Sequence, residues 1–259
     1  MKNCIVLLVL FAPAMALAQM QIGPEEYQLL GAAIRTRPAY DGSKSQVTDL
    51  IPVVRYYGQP LFARTTQGIL EGGLHWNLGS GVAAGFQLAY EEGREADESA
   101  FLRNHNFTDN VDASGSIGVH LEWDTKLGQA PISLLARYRR DVESDRGTLV
   151  DFRFNVGVYG QNDTIVALYA QTTWASSEAN ATFYGVTAAQ SAATGLPVYS
   201  PGSGFQNIGF GVLASHDLSR HVTLVGGIQF KWLMGDAAES PLAEQSRSTY
   251  ANAGVAYRF

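Results

Sequence analysis

Hydrophobic and polar residues alternate along the C-terminal stretch 249–259 (TYANAGVAYRF). One face is apolar and ends in Val255, Tyr257 and Phe259, whereas the other face carries Tyr250, Asn252 and Arg258. A period of two is that of a β-strand with one buried and one solvated face. A terminal strand that alternates and ends on an aromatic residue is typical of outer-membrane β-barrels, so this stretch predicts such a fold.

The same alternation recurs along the chain and predicts a series of strands. It is weak at 27–37 and clear at 82–91, where apolar residues from Val82 to Tyr90 oppose small and polar ones. A further strand is predicted at 50–57. It is strongest in the second half, at 117–123, 132–139, 150–158, 166–174, 208–214 and 222–232. The pattern therefore predicts an all-β chain.

The number of strands depends on the segment 61–76. A strand needs about 9–11 residues to cross a bilayer, so this segment is too long for one strand. We split it near Gln67-Gly68 into a hairpin. The split gives about twelve strands, an even number that places both termini on one side of the membrane. If the split is wrong, another hairpin is also miscounted and ten strands is the alternative.

The connections between strands sort into short and long ones. The segments 77–81, 124–130, 160–163 and 217–221 are short, whereas 92–111, 175–204 and 235–248 are long. A transmembrane antiparallel up-and-down β-barrel has short periplasmic turns and long extracellular loops, whereas a secreted β-sandwich has no reason to sort its connections. Aromatic residues near strand ends fit interfacial girdles; they are Trp76, Tyr90, Trp123, Tyr138, Trp174, Trp232 and Tyr257.

The N-terminus predicts export. A basic start, an apolar run at 5–11 and the Ala16-Leu17-Ala18 site describe a signal peptide at 1–18, which leaves a single barrel domain at 19–259 in the outer membrane of a Gram-negative type of cell. Cys4 is the only cysteine and lies in the signal, so the mature chain has no thiol. The formal net charge of −6 argues against nucleic acid as a partner.

Four landmarks occur in a particular order along the mature chain. They are Pro38-Ala-Tyr40-Asp-Gly42, the segment 51–58 (IPVVRYYG), the segment 182–187 with Tyr184, Gly185 and Val186, and Ser240-Pro241 ahead of the terminal strand. Their order and spacing resemble the MipA/OmpV family of outer-membrane proteins. We expect Pro38, Tyr40 and Gly42 to lie in a loop. Tyr184, Gly185, Val186, Ser240 and Pro241 are expected in extracellular loops that pack into the barrel and cap it.

The resemblance implies a barrel that is not an enzyme and has no cofactor. The family role is to link a lytic transglycosylase and a penicillin-binding synthase of peptidoglycan, and other members are described as adhesins. Further expected partners are outer-membrane lipid, lipopolysaccharide and the barrel-assembly machinery, which would read Val255, Tyr257 and Phe259 as a signal. The acidic segments 91–98 and 141–146 would bind divalent cations or lipopolysaccharide, or simply solvate the loops.

Charged residues fall on the predicted lumen faces of the strands. They would either line a small-solute pore or pair with one another in a narrow, weakly conducting lumen, and we favour the paired reading. These lumen charges are Glu91, Glu122, Arg137, Arg139, Asp151, Arg153, Lys231 and Arg258.

A lipid-modifying enzyme is the third hypothesis, after the scaffold and the pore. It would need Ser and His near one rim with an orienting carboxylate. Candidates are His105 with Asp109, Ser99 and Ser114, and the pair His216 and His221 with Asp217 and Ser219. The chain lacks a G-x-S-x-G motif. Because no histidine pair has H-x-x-x-H spacing in a helix, we expect no metal site.

Overall fold

The computed structural model describes residues 28–66, 69–143 and 145–259. The predicted signal peptide at 1–18, Tyr27 and the turn Gln67-Gly68 lie outside the described residues. Within the described part, every strand pairs with its sequence neighbour and β1 pairs with β12, so that twelve antiparallel strands close a barrel. The strands are β1 (Leu29–Pro38), β2 (Gln46–Tyr57), β3 (Leu61–Thr66), β4 (Ile69–Gly79), β5 (Val82–Glu91), β6 (Ser114–Leu127), β7 (Ala130–Asp141), β8 (Thr148–Gln161), β9 (Thr164–Ala175), β10 (Gly204–Asp217), β11 (Val222–Leu233) and β12 (Arg247–Arg258).

The predicted split of 61–76 is confirmed. β3 and β4 are separate antiparallel strands whose register runs from Leu61 opposite Leu74 to Thr66 opposite Ile69. The barrel therefore has twelve strands and not the alternative ten. The predicted start of β2 is residue 50, whereas the strand begins at Gln46. The four additional residues are mostly polar, with Asp49 facing inward, so they do not show the apolar alternation from which the start was predicted.

The alternation in the sequence separates side chains that face the lumen from side chains that face outward. Large apolar side chains such as Leu50 and Leu88 face outward, whereas alternate positions bury charged and polar groups in the lumen. This arrangement is that of a barrel in lipid, where the outer surface must be apolar. Outward aromatic residues lie at both ends of the wall; Trp76, Trp123 and Tyr257 lie at one end, and Tyr90, Tyr138, Trp174 and Trp232 at the other.

The two ends of the barrel differ in their connections. One, the turn end, carries only tight turns, at 58–60, 80–81, 128–129, 162–163 and 218–221. At the β8–β9 turn, Asn162 and Asp163 both have positive φ, of 50° and 61°, as a type I′ hairpin requires. The other, the loop end, carries the connections 39–45, 92–113, 142–147, 176–203 and 234–246.

The long loops contain short helices that the sequence reading missed. They are α1 (Ala100–Asn104), α2 (Ser177–Tyr184), α3 (Ala188–Thr194) and α4 (Gly235–Glu239). Side chains of Ser99, Ser176 and Thr187 accept hydrogen bonds from backbone N–H groups at the starts of the first three helices. Among the described helices, none has the length and apolar character needed to cross a membrane.

Two loops meet across the seam where the barrel closes. The seam pairs β1 with β12 from Leu29 opposite Arg258 to Thr36 opposite Ala251. Above it, the backbone N–H of Lys44 donates to Glu244 at 2.9 Å, and Gln245 donates to the Ser43 carbonyl at 2.9 Å. We call these contacts between loops 39–45 and 234–246 the clasp, and they join two parts of the chain that are distant in sequence.

Candidate functional site: a charged lumen beneath a loop cap

All eight predicted lumen charges occupy inward-facing positions of their strands. Arg137 and Arg139 are almost fully buried, at 3% and 4% exposure, so these charges face one another and not bulk water. A buried charge is tolerated only with a partner, so the contacts of each charge decide what the lumen does.

A layer of ion pairs lines the inner wall of the barrel from β3 to β8. Glu71 accepts from Arg64 at 2.5 Å and from Arg137 at 2.7 Å. Arg137 and Arg139 both contact Asp151 at 3.0 Å. Two more carboxylates extend the layer at its ends, because Glu122 accepts from Arg64 at 2.5 Å and Glu91 accepts from Arg139. Positive and negative groups alternate throughout this layer.

A second group of ion pairs lies closer to the loop end. Arg35 donates to Asp49 and to Glu92, both at 2.6 Å, and so connects β1 and β2 to the end of β5. On the adjacent strands β11 and β12, Lys231 donates to Asp41 at 2.9 Å, and Tyr250 donates to the same carboxylate. Asp41 belongs to loop 39–45, so this loop is bound to the lumen wall.

The other two predicted lumen charges have different surroundings. The Arg153 guanidinium lies 4.3 Å from the centre of the Tyr169 ring, and its Nε donates to Asn155 at 2.8 Å. Arg258 lies at the turn end, where it donates to Asp217 at 2.5 Å and to the backbone carbonyl of Arg220 at 2.8 Å. It therefore ties the terminal strand to the β10–β11 turn and lies outside the central layer.

Sequence reasoning missed Arg64, Glu71 and Arg35, which have several of the contacts in these layers. For Arg64 and Glu71 the reason is local, because Gly72 and Gly73 interrupt the alternation in β4 and the split of 61–76 left the faces of β3 unassigned. Arg35 lies on β1, where the alternation is weak. The position of Arg64 directly opposite Glu71 was the available signal, since opposite charges paired across two strands favour that register.

Four loops pack together over the loop end and form what we call the cap. Its apolar core joins side chains of loops 39–45, 92–113, 176–203 and 234–246; they are Ala39, Tyr40, Ala96, Leu102, Phe107, Val186, Leu196 and Leu242. Leu102 and Leu242 are completely buried. Burial of this kind, between segments that are distant in sequence, fixes the cap over the lumen.

The family-motif residues meet within this cap. Tyr40 donates to the Leu242 carbonyl at 2.8 Å, and Ser240 donates to the Tyr184 carbonyl at 2.7 Å. Val186 pairs through its backbone with Tyr199. Pro38 is the last residue of β1 and not part of a loop, and Gly42 has a φ of 99° where loop 39–45 turns. Of the others, Gly185 caps the C-terminus of α2, and Pro241 follows Ser240 in loop 234–246.

A buried arginine holds the centre of the cap. Arg94 donates to the Phe183 carbonyl at 2.6 Å, and its guanidinium lies 5.1 Å from the Phe107 ring centre and 5.8 Å from the Tyr40 ring centre. Burial lowers the pKa of Arg94. Burial also raises the pKa of Tyr40 to about 12, and raises the pKa of Tyr184 well above its ordinary value. The cap therefore favours uncharged phenols.

Among the described residues, two adjoining cavities lie in the lumen. One, of about 240 Å³, lies under the cap and is lined by Tyr184, Arg139 and Lys231. The other, of about 210 Å³, lies towards the turn end and is lined by Arg55, Glu122 and Tyr169. Arg35, Arg153 and Gln229 line both, so these side chains stand where the two cavities meet.

The residues considered for catalysis have other partners. Ser99 caps α1, and His105 contacts the Phe101 carbonyl at 2.9 Å through Nδ1. At the turn end, His216 contacts Thr164 at 2.8 Å, and His221 contacts the Arg258 carbonyl at 3.1 Å. The remaining residues pair elsewhere: Asp109 with Gln190, Ser114 with Asp141, Ser219 with the His221 backbone and Asp217 with Thr223 and Arg258.

Two other histidines meet inside the lumen. His75 on β4 and His120 on β6 contact each other at 3.2 Å and lie next to Glu122. The expectation of no metal site considered only histidine spacing within a helix. Strand register brings these residues together although 45 positions separate the two histidines in sequence.

The predicted assembly signal faces outward at the turn end. Val255, Tyr257 and Phe259 are between 49% and 66% exposed. The Tyr257 ring stacks on His221 with centroids 5.5 Å apart. In the charged loop 141–146, Arg146 contacts Glu143 at 2.9 Å and the Asp112 carbonyl at 2.5 Å, so part of its charge is engaged within the loops.

Comparison with known structures finds other outer-membrane barrels at low identity. The NanC porin superposes with a TM-score of 0.48 at 12% identity, covering 90% of this chain and 100% of the porin. An outer-membrane channel from Pseudomonas putida F1 gives 0.47 at 8% identity, covering 96% and 100%. OmpT of Vibrio cholerae gives 0.39 at 7% identity, covering 90% and 96%. Because all three TM-scores are below 0.5, the fold is assigned from the strand topology and not from these structures.

No curated protein sequence matches this chain. The family model described as MltA-interacting protein MipA matches residues 30–259, which is nearly the whole chain. The match includes the strands, the cap and all the family-motif residues. The chain is thus an outer-membrane β-barrel that belongs to the MltA-interacting protein MipA family.

Proposed function

We propose that this protein is a non-enzymatic scaffold of the cell envelope, exported by the N-terminal signal at 1–18. It holds periplasmic peptidoglycan enzymes at the outer membrane through its turn end. The observation that carries the proposal is the paired lumen, in which ion pairs line the inner wall from β3 to β8 and the cap covers the loop end. A barrel filled in this way supports an anchoring role more than the passage of solutes.

The partners follow from the family. Its name describes interaction with MltA, a lytic transglycosylase, and the family role adds a bifunctional penicillin-binding synthase. Both enzymes act in the periplasm, where we place the tight turns, whereas the cap faces the cell exterior and meets lipopolysaccharide. The exposed Lys126 and Arg220 beside two of these turns offer positive charge for a docking contact.

The experiment is capture of the two purified enzymes by the mature barrel in detergent. We expect binding that falls several-fold in the double variant Lys126→Glu with Arg220→Glu, because both charges lie on the docking end. The matched control is Lys44→Glu with Arg247→Glu, which reverses two exposed positive charges at the opposite end and should bind as the wild type does. Wild-type protein that captures neither enzyme would refute the scaffold role.

A small-solute pore is the second candidate, because two cavities meet at Arg35 and Arg153 within the lumen. Planar-bilayer recording separates the candidates. The closed barrel that we propose gives no steady channel, whereas stable openings of one size would establish a pore. In that case Arg153→Glu should lower the preference for anions, since Arg153 lines both cavities.

A further inference from the structure

We propose that His75, His120 and Glu122 form a binding site for a divalent transition-metal ion, of the Zn²⁺ or Cu²⁺ type, inside the barrel. His120 and Glu122 are buried on β6, and His75 is half-buried on β4. One ligand atom from each of the three side chains lies within 4.8 Å of the other two. Two imidazoles with one carboxylate suit these metals.

The register of three strands creates this meeting of side chains. His75 lies opposite Gly85 on β5, and Gly85 in turn lies opposite His120. All three positions face inward, and a Cβ at Gly85 would come within 2.9 Å of His120 Nε2. The missing side chain at Gly85 therefore leaves the space in which the two imidazoles approach each other.

The hydrogen bonds around His120 set its tautomer. The Gln87 Nε2 donates to Glu71 at 3.0 Å, so the Gln87 Oε1 faces the other way and lies 3.1 Å from His120 Nδ1. An amide oxygen only accepts, so His120 Nδ1 carries the proton. Its Nε2 then presents a lone pair towards His75, as a metal-binding imidazole requires.

The two imidazoles are already at the spacing of a metal-binding pair, and a bound metal would displace the proton that His75 Nδ1 donates to His120 Nε2. His75 Nδ1 and His120 Nε2 are 3.2 Å apart. Zn–N bonds of about 2.0–2.1 Å in a tetrahedron place two nitrogens about 3.3 Å apart. Glu122 Oε1 lies 3.9 Å from His120 Nε2, so a small movement of the carboxylate completes a three-ligand set.

Access and charge also bear on the site. Glu122 lines the cavity of about 210 Å³ towards the turn end, from which an ion can reach it. Arg64 donates to the same Glu122 oxygen at 2.5 Å and therefore competes with the metal. Arg64 keeps a second carboxylate, Glu71, through its Nε at 2.5 Å, so it retains a partner when the metal takes Glu122.

The test uses the full mature barrel folded in detergent, with Cu²⁺ as the spectroscopic probe and Zn²⁺ in calorimetry. We expect one equivalent of each to bind, and the Cu²⁺ electron paramagnetic resonance spectrum to show two nitrogen ligands. His75→Ala, His120→Ala and Glu122→Gln should each weaken binding at least tenfold. Gln87→Leu should weaken metal binding by about 10–100-fold, because it removes the acceptor that fixes the tautomer of His120.

The matched controls are His105→Ala and His216→Ala, which remove histidines outside the site and should leave binding unchanged. Binding that disappears in a control would place the metal elsewhere, and a wild-type spectrum without two nitrogen ligands would overturn the proposal. Heat-modifiable gel migration checks that each variant folds. If a buried variant does not fold, the half-buried His75→Ala and the wild-type spectrum decide the question.

Discussion

Glu71 shows how a single carboxylate organises the lumen. It is 2% exposed and bonds to Arg64, Arg137 and Gln87. The Glu71→Gln change should lower the free energy of unfolding by about 3–5 kcal/mol, because removing one member of a buried ion pair leaves its partners uncompensated. Urea unfolding of the barrel in lipid vesicles measures the loss.

The matched control for Glu71 is an ion pair of the same chemistry whose carboxylate is exposed. Glu143 contacts Arg146 at 2.9 Å in loop 142–147. Glu143→Gln should change the free energy of unfolding by at most about 1 kcal/mol, since exposed pairs are weak. Equal losses in the two variants would show that the central layer is solvated and does not depend on its pairing.

Tyr40 gives the cap a dependence on alkaline pH. Its pKa is raised to about 12 by burial, above the ordinary value of 10, so its stabilising contribution is complete below about pH 10 and is lost as the pH rises through about 12. A tyrosinate absorbance titration should show a late-ionising fraction that shrinks in Tyr40→Phe. If the variant loses only early-ionising signal, Tyr40 is not buried in solution.

At the scale of elements, the strands were predictable and the cap was not. Lipid requires an apolar outer wall, so every second residue of a strand tends to be apolar. This pattern predicted β5 with its observed bounds. The helices α2 and α3 were not predicted, because their contacts are with other loops and not with residues nearby in the sequence. The Thr187 and Gln190 capping box was nevertheless visible in the sequence.

The cap is an element whose core can be tested by one truncation. Leu242 is completely buried among loops that are distant in sequence. Leu242→Ala should lower the free energy of cap opening by about 2–5 kcal/mol, through lost contacts and the cavity left behind. Amide hydrogen exchange should accelerate at Val186 and Tyr199 and stay unchanged in β7 and β8.

An exposed leucine provides the comparison for this truncation. Leu218 lies in the β10–β11 turn with 58% of its surface exposed. Leu218→Ala should leave exchange in the cap unaffected, because this residue lies at the other end of the barrel. Faster exchange of the whole barrel in Leu242→Ala would mean that cap and wall unfold as one unit.

At the scale of the whole molecule, strand register in the closed sheet determines which inward side chains meet, and the sequence patterns did not specify this. Strand parity placed Arg137 and Asp151 on the same interior, but their partners depend on register across β3 to β8, which hydrophobic periodicity does not specify. The meeting of His75 and His120 has the same origin, since it requires Gly85 on the strand between them.

Assembly of the whole barrel supplies a further prediction. Phe259 is 66% exposed beside Tyr257, with ring centroids 5.1 Å apart, at the outward turn end of β12. We expect Phe259→Ala to lower the yield of heat-modifiable barrel several-fold when the purified assembly machinery folds it in vesicles. Leu127→Ala, equally exposed at the turn end but remote from β12, should fold as the wild type does. Equal yields of folded barrel from Phe259→Ala and Leu127→Ala would show that Phe259 is not part of the assembly signal.

The clasp has a consequence for the order of events during assembly. Its contacts join residues about 200 positions apart, such as Tyr40 and Leu242, and bringing such distant segments together is costly until the strands between them are in place. Loops 39–45 and 234–246 become neighbours only when β12 docks on β1. The clasp therefore forms only with the β1–β12 seam in place, so a formed clasp marks a molecule whose barrel wall is complete.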